Sequence, residues 1–418
     1  MTTSLWHGFA DMHAVKDAEL VLRDGEGVWV TGIDGTRYLD STAALWYCNV
    51  GFGRAEIADA VAAQLRGLAA YSSFGPYTTE PTVRLAARIA ALAPVEDAVV
   101  FFTSGGSEAI DTAAKLARRY WDVVGRPEKQ VIVSREHSYH GMAAFGTSLA
   151  GIPLNKAGYG PLVDDVVNVG AHDLDTLARL FEQRSSEIAA FFAEPVIGAG
   201  GVIPPEAGYF AGVGELCARH DVLFVADEVI TGFGRTGEWW GSTRFGLAPD
   251  LVTFAKGVSS GYVPLGGVIA GVRVRSPFWD EPIPGAVFRH GYTYSGHATA
   301  CAAAMANLDI LEREDLLGRV LALEPVLESE MRRLASAPLV GEVRTVGLTA
   351  AVELSNAALA GGPAVVEAVV TAARRHGVLT RSLRGRALQV SPAFVITEAE
   401  IATMVDAFEA ALREVAAG

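Results

Sequence analysis

The chain has 418 residues, half of them hydrophobic, and 34 basic against 48 acidic side chains give a formal net charge of −14. That length supports a large core split between two domains, and the acidic balance disfavours nucleic acid and anionic membrane as partners. Three cysteines, Cys48, Cys217 and Cys301, with no CxxC spacing form neither a disulfide framework nor a zinc site. A reducing cytoplasm and no metal are therefore expected.

The first residues, MTTSLWHGFADMH, lack a basic segment followed by an apolar run, so no secretory leader is expected. No apolar run approaches the roughly 20 residues that span a bilayer. Residues 18–40 place Val21, Leu22, Val28, Trp29, Val30, Tyr38 and Leu39 between glycine-rich breaks, like a small antiparallel meander. Val99–Thr103 is a short apolar run ending at Gly105-Gly106, and Ile110, Ala113, Ala114 and Ala117 then share one helical face. Further strand candidates are 131–133, 189–193, 222–226, 251–255 and 267–270, with a helix over 208–220. Uninterrupted apolar runs suit strands covered on both faces, so the centre reads as a mostly parallel α/β sheet. The Ala-rich stretch 298–306 reads as buried helix. The last hundred residues mix helices (365–375, 398–415) with short strands (348–354, 387–390). We expect a large α/β domain over residues 51–305 and a smaller α+β domain built from 1–50 and 306–418.

Ligands of open parallel sheets gather at the carboxyl ends of the strands, and here those ends carry Ser104 to Glu108, Tyr139-His140-Gly141, Glu194, Asp227-Glu228 and Lys256. Gly105, Gly106 and Ser107 open a helix, where close backbone N–H groups and a hydroxyl suit a phosphate. A plain capped turn would look similar. Asp227 ends a buried run and needs a partner: an arginine, a helix cap or a protonated pyridine nitrogen. Lys256 either reaches solvent or is chemically employed, as an imine to a carbonyl cofactor and a proton shuttle when released. Each signal alone is weak, but their order along the chain supplies every group that a pyridoxal 5′-phosphate (PLP) site needs. The GxGxxG match at Gly232–Gly237 stands apart from its strand and is followed by Glu238-Trp239-Trp240 rather than a helix, so it reads as a loop, not a dinucleotide fingerprint.

Taken together, FFTSGGSEA (101–109), YHG (139–141), EPVIGAGG (194–201), FVADEVITGFGRTG (224–237), FAKGVSSGYVPLGG (254–267) and HGYTYSGHA (290–298) resemble the class III (ω-type) aminotransferases of PLP fold type I, in particular the ω-amine:pyruvate branch. The resemblance runs through nearly the whole chain. It implies an aspartate aminotransferase-like fold, PLP as cofactor and a homodimer with small-molecule substrates. Lys256 would hold the cofactor and Asp227 its ring nitrogen. Val229 and Tyr139 would flank the ring, with His140 and Glu194 beside them, and Gly105, Gly106 and Ser107 would hold the phosphate. Thr293 would reach the phosphate of the other subunit. Trp46, with Phe74 and Tyr292, would wall the substrate pocket.

Two departures matter. Gly105 stands where the family usually has Ser or Thr, so one hydroxyl contact is lost. Ala199 and Gln389 stand where the ornithine- and GABA-type branch has a Glu and an Arg, so that switch is absent. Arg381, before Ser391-Pro392, matches the arginine that grips a substrate carboxylate, with Arg384 and Arg386 as alternatives and a solvated basic loop as the ordinary reading. The resemblance implies transfer of an amino group from a primary amine or ω-amino acid to a keto acid such as pyruvate. Aminomutase, racemase, epimerase or decarboxylase chemistry on the same fold is the rival. A non-catalytic cofactor-binding protein is a second, against which Lys256 and Asp227 both speak.

Overall fold

The first three strands, β1 (Leu22–Glu26), β2 (Trp29–Gly32) and β3 (Arg37–Asp40), form the expected antiparallel meander in a computed structural model that describes residues 3–280 and 283–418. Its fourth strand comes from the far end of the chain: Val378–Leu379 pairs parallel with Leu39–Asp40.

The central sheet has seven strands: β4 (Val99–Thr103), β5 (Val131–Arg135), β6 (Val166–Val169), β7 (Ile188–Ala193), β8 (Leu223–Asp227), β9 (Leu251–Phe254) and β10 (Gly266–Ala270). They lie in the order β4-β10-β9-β8-β7-β5-β6. All neighbours run parallel except β10, which is antiparallel to both β4 and β9. The apolar runs are uninterrupted because successive side chains enter two different cores. Val131, Val133, Phe191, Phe224 and Phe254 belong to one, and Ile132, Phe192, Val225 and Leu251 to the other. The helix Gly106–Val123 covers the second core with Ile110, Ala113, Ala114 and Ala117, the face its periodicity indicates. At about 1.5–3 kcal/mol for each fully buried large aliphatic or aromatic side chain, this two-sided burial is the main favourable term of the sheet.

Beyond the central sheet, β11 (Val340–Val346), β12 (Thr349–Leu354), β13 (Val378–Leu379), β14 (Ser382–Leu383) and β15 (Ala387–Val390) follow. Four of them form a sheet in the order β11-β12-β15-β14, and β13 is the strand that joins the meander. The terminal helix Glu398–Ala416 starts with a capping box between Thr397 and Glu400. Among the described residues, no helix is long and apolar enough to cross a membrane.

The Gly232–Gly237 segment is a tight loop whose Arg235 is fully buried. Its guanidinium donates to the carbonyls of Leu348 (3.0 Å) and Pro392 (2.7 Å) and to Asn49 Oδ1 (2.7 Å), and it lies 4.7 Å over the Phe394 ring. One side chain thus ties the body of the chain to segments near both ends. Arg235→Ala leaves three buried acceptors unmet, at about 1–3 kcal/mol each. The expected loss is about 3 kcal/mol or more, read as a fall of several degrees in the thermal unfolding midpoint, and Arg235→Lys should recover only part of it. An unchanged midpoint would show that the tie contributes nothing.

Candidate active site

Lys256 follows β9 and opens a short 3-10 turn in the left-handed region, at φ +46°. It lines a cavity of about 190 Å³ together with Gly106, Ser107, Tyr139, His140, Glu194 and Asp227. Most of the strand-end residues singled out from the sequence therefore converge on one space. Burial pulls the Lys256 amine down to about 8, against the opposing pull of the Asp227 and Glu194 carboxylates.

Asp227 ends β8 almost wholly buried. Its Oδ2 lies 2.7 Å from His140 Nδ1, and its Oδ1 accepts from the Val229 N–H and from the Thr253 hydroxyl, both at 3.1 Å. The second of these follows from the sheet register, which sets Thr253 on β9 opposite Asp227. The other ring nitrogen of His140, Nε2, is buried without a partner among the described residues. Glu194 does not touch Asp227. Its carboxylate accepts the backbone N–H groups of Tyr139 (3.0 Å) and Gly198 (2.9 Å), and so fixes the loop that carries Tyr139. Burial pushes the Glu194 carboxyl up.

At the other strand end, Gly106 begins the 18-residue helix under Val229. A Cβ on Gly106 would stand 3.0 Å from Val229 Cγ1, so glycine permits the close approach. Gly141, at φ +83°, passes Ser107 so closely that a Cβ would lie 2.4 Å from its Oγ. The Ser107 hydroxyl accepts the Met142 N–H at 3.1 Å, leaving its own proton to donate. Gly105 is the extended N-cap residue and does not line the cavity.

Trp46 is buried, with Lys256 Nζ 5.7 Å and the Arg381 guanidinium 5.4 Å from its ring. In this turn Ala43, Ala44 and Trp46 itself have φ of +45°, +58° and +60°, positive values that non-glycine residues rarely adopt, with Leu45 between them at φ −148°. The three arginines of the C-terminal segment separate clearly. Arg384 donates to His137 Nδ1 (2.9 Å) and Arg386 to Glu353 Oε1 (3.0 Å). Arg381 has no ion pair or side-chain hydrogen bond among the described residues, and burial lowers its pKa. Gln389 is buried and donates to Ser391 Oγ at 2.7 Å.

Of the residues expected to wall the substrate space or to reach the other subunit's phosphate, Trp46, Phe74, Tyr292, Thr293 and Arg381 do not line this cavity; Leu45 stands where Trp46 was expected. Phe74 packs against Gly291, and Tyr292 and Thr293 follow on the same loop, where Thr293 is exposed. Sequence reasoning missed Leu45, Ile110 and Ile230 in the lining, Thr253 behind Asp227, and Phe9, whose ring meets Tyr139 edge-on at 6.4 Å. Thr253 carried a usable signal as the one polar residue of an apolar run. Phe9 carried none.

Residues 12–412 match the family model of class-III aminotransferases. The chain is 38% identical to a putrescine–pyruvate aminotransferase of Pseudomonas aeruginosa, over 96% of this chain and 92% of that one. It is 37% identical to a β-alanine–pyruvate aminotransferase of the same organism, over 98% and 96%. A PLP-bound amine transaminase structure from an uncultivated Pseudomonas species superposes with a TM-score of 0.93 at 36% identity, covering 99% of both chains.

In the protein stripped of any carbonyl cofactor, labelling of Lys256 by an amine-selective reagent, followed by mass spectrometry over the alkaline range, should rise with a midpoint near 8. A midpoint near the ~10.4 of a solvated lysine would show an open, hydrated amine.

Proposed function

The chain belongs to the class-III aminotransferases, and on that premise we propose that the Lys256 cavity moves an amino group from a primary amine or ω-amino acid to a keto acid such as pyruvate. As a member of this family the enzyme uses pyridoxal 5′-phosphate. The residues fit that group: a buried amine, a buried carboxylate, and a helix start kept open by Gly106 line one cavity. That shared lining is the observation which carries the reading. The pyruvate-dependent relatives support the choice of acceptor.

Lys256 would hold the cofactor covalently, Asp227 its ring nitrogen, and Gly106, Ser107 and the helix N-terminus its phosphate, with Gly105 contributing backbone only. Val229 and Tyr139 would flank the ring. When bound, the cofactor supplies a carbonyl carbon for the amine and a cationic ring that accepts an electron pair. Asp227 would keep a proton on the ring nitrogen, and His140, the Val229 N–H and Thr253 hold Asp227 in place. Lys256, once the substrate amine has displaced it, would be a competent base near neutral pH with its amine near 8, taking the proton from the carbon that bears the amine and delivering it to the cofactor's former carbonyl carbon rather than back to the same atom. Trp46 presents an apolar wall to substrates without a carboxylate. Arg381, the one unpaired arginine of the three candidates, grips the keto-acid carboxylate through two N–H groups.

The exposed side chains of Phe74 and Thr293, on two loops that meet at Gly291, support a homodimer in which each chain completes the other's site. Tyr71, Phe74, Tyr77 and Tyr294 are each more than half exposed, a surface that a second copy would cover. The cavity of about 190 Å³ is also smaller than the roughly 300–1,000 Å³ usual for small-molecule sites. We also take residues 51–305 as the large domain and 1–50 with 306–418 as the small one, supported by the pairing of Leu39–Asp40 with Val378–Leu379. Three buried free thiols support a cytoplasmic setting.

The first test is the visible spectrum. The yellow band of the PLP-loaded protein should bleach with a primary amine and return with pyruvate, and Lys256→Ala should not complete the cycle. A band that never bleaches to the pyridoxamine form would favour mutase, racemase or decarboxylase chemistry. For Arg381→Ala, the KM for pyruvate should rise by about 10- to 100-fold, in keeping with loss of a charge-assisted bidentate contact, and amine turnover should suffer much less. Equal losses in both half-reactions would remove Arg381 from the role of carboxylate grip.

A further inference from the structure

A second cavity, of about 610 Å³ and open to solvent, lies on the outer side of Arg381. It is formed between the N-terminal meander and the helix Ala364–Arg375. Ala44 lines this cavity, while Leu45, the next residue, lines the cavity of Lys256. Trp46 follows, within 6 Å of both Arg381 and Lys256. The wall between the two spaces is thus the left-handed turn at Ala44 to Trp46 together with the Arg381 side chain.

The charges around the larger cavity are not balanced locally. Arg23 and Asp24 neutralise each other at 2.6 Å. The Asp40 carboxylate is almost wholly buried and is turned into its own loop, accepting from the Thr42 N–H (2.9 Å), the Thr42 hydroxyl (2.7 Å) and the Ala44 N–H. Arg374 and Arg381 remain on the lining, with Glu367, on the same helix as Arg374, acting on Arg381 only from a distance. Neither has an ion pair or a side-chain hydrogen bond among the described residues, whereas Arg375 and His376, the next two residues, both hold Glu414. Arg374 is exposed at the rim and Arg381 is half-buried at the inner wall. Leu22, Val30, Phe52 and Leu379 give the space apolar sides.

A chain with net charge −14 attracts a cationic amine and repels an anionic keto acid. A cleft with two unpaired guanidiniums reverses that field locally, and low-dielectric walls concentrate it. We propose that this cavity is the vestibule through which the carboxylate-bearing substrate reaches the Lys256 site, meeting Arg374 first and Arg381 second. The proposal rests on the reading of Arg381 as the carboxylate grip.

The two half-reactions are followed separately by stopped flow on the loaded enzyme, the pyridoxamine form with pyruvate and the pyridoxal form with an amine. In Arg374→Glu, the ratio of the second-order rate constants, pyruvate over amine, should fall about tenfold, and Arg374→Lys should hold it within about twofold of wild type. Raising the salt from about 0.02 M to about 0.3 M should slow the wild-type pyruvate reaction and leave Arg374→Glu nearly unaffected. Propionate, which has the carboxylate but no keto group, should bind Arg374→Glu more weakly by calorimetry, a readout independent of turnover. An unchanged ratio with salt dependence retained, or equal losses for pyruvate and amine, would overturn the vestibule. Arg381→Ala separates the two levels. If it spares propionate binding and pyruvate turnover, the grip and the vestibule both fall. If it is selective and Arg374→Glu is not, only the vestibule falls.

Discussion

A carboxylate at the end of a buried strand has to be surrounded by donors, and the strand order around Asp227 is what supplies them. Leaving an ion of this size unpaired in the interior costs several kcal/mol, far more than any one contact in the site returns. The donors come from different parts of the sheet: His140 from the loop after β5, Thr253 from the adjacent strand β9, and Val229 from the turn that Asp227 itself begins. Moving β9 by one residue would turn Thr253 away and bring an apolar side chain against the carboxylate. The parallel register that builds the core therefore also orients the group proposed to hold the ring nitrogen.

The same sheet gives Lys256 its character. β9 is buried along its whole length, as is Ala255 after it, so Lys256 leaves the sheet from a desolvated base, and desolvation favours the neutral amine. Two nearby carboxylates oppose this without reversing it. Around this rigid floor the remaining walls are contributed by distant segments: the left-handed turn at Ala43 to Trp46 and the C-terminal loop of Arg381. Arg235 and the meander's pairing with Val378–Leu379 hold those segments against the sheet. Rigid strand ends for the reactive groups and tied loops for the substrate wall is the division that a site with precise chemistry and adjustable specificity requires.

The parts of this arrangement legible in the sequence were those with a local cause. Apolar runs marked β4, β5 and β7 to β10, and the residues just past them marked most of the site. β6 was not legible, because Val166–Val169 is only four residues long, partly exposed and interrupted by Asn168. Nor was the reversed direction of β10, which apolarity alone does not encode. Thr253 could have been found as the polar break in its strand, whereas Phe9 owes its place beside Tyr139 to the path of a segment with no periodic pattern. The three arginines near residue 384 are equivalent as letters. They differ only in which acceptors the fold places beside them: an imidazole for Arg384, a carboxylate and an amide for Arg386, and no side-chain acceptor for Arg381 among the described residues.

That difference has an energetic consequence for Arg381. Half-buried and without a counter-ion, it loses hydration and recovers only the attraction of the Trp46 face, about 0.5–2 kcal/mol for a cation over an aromatic ring. Arg384 already holds His137 and Arg386 already holds Glu353 and Asn356, so an incoming carboxylate would compete with an existing partner at either one. Arg381 has nothing to give up. A charge-assisted contact is typically about twice as strong as a neutral one, and a bidentate one adds orientation to strength. Of the three candidates, a substrate carboxylate therefore gains most at Arg381. A substrate without that group leaves Arg381 against Trp46, at no cost beyond what the empty enzyme already bears.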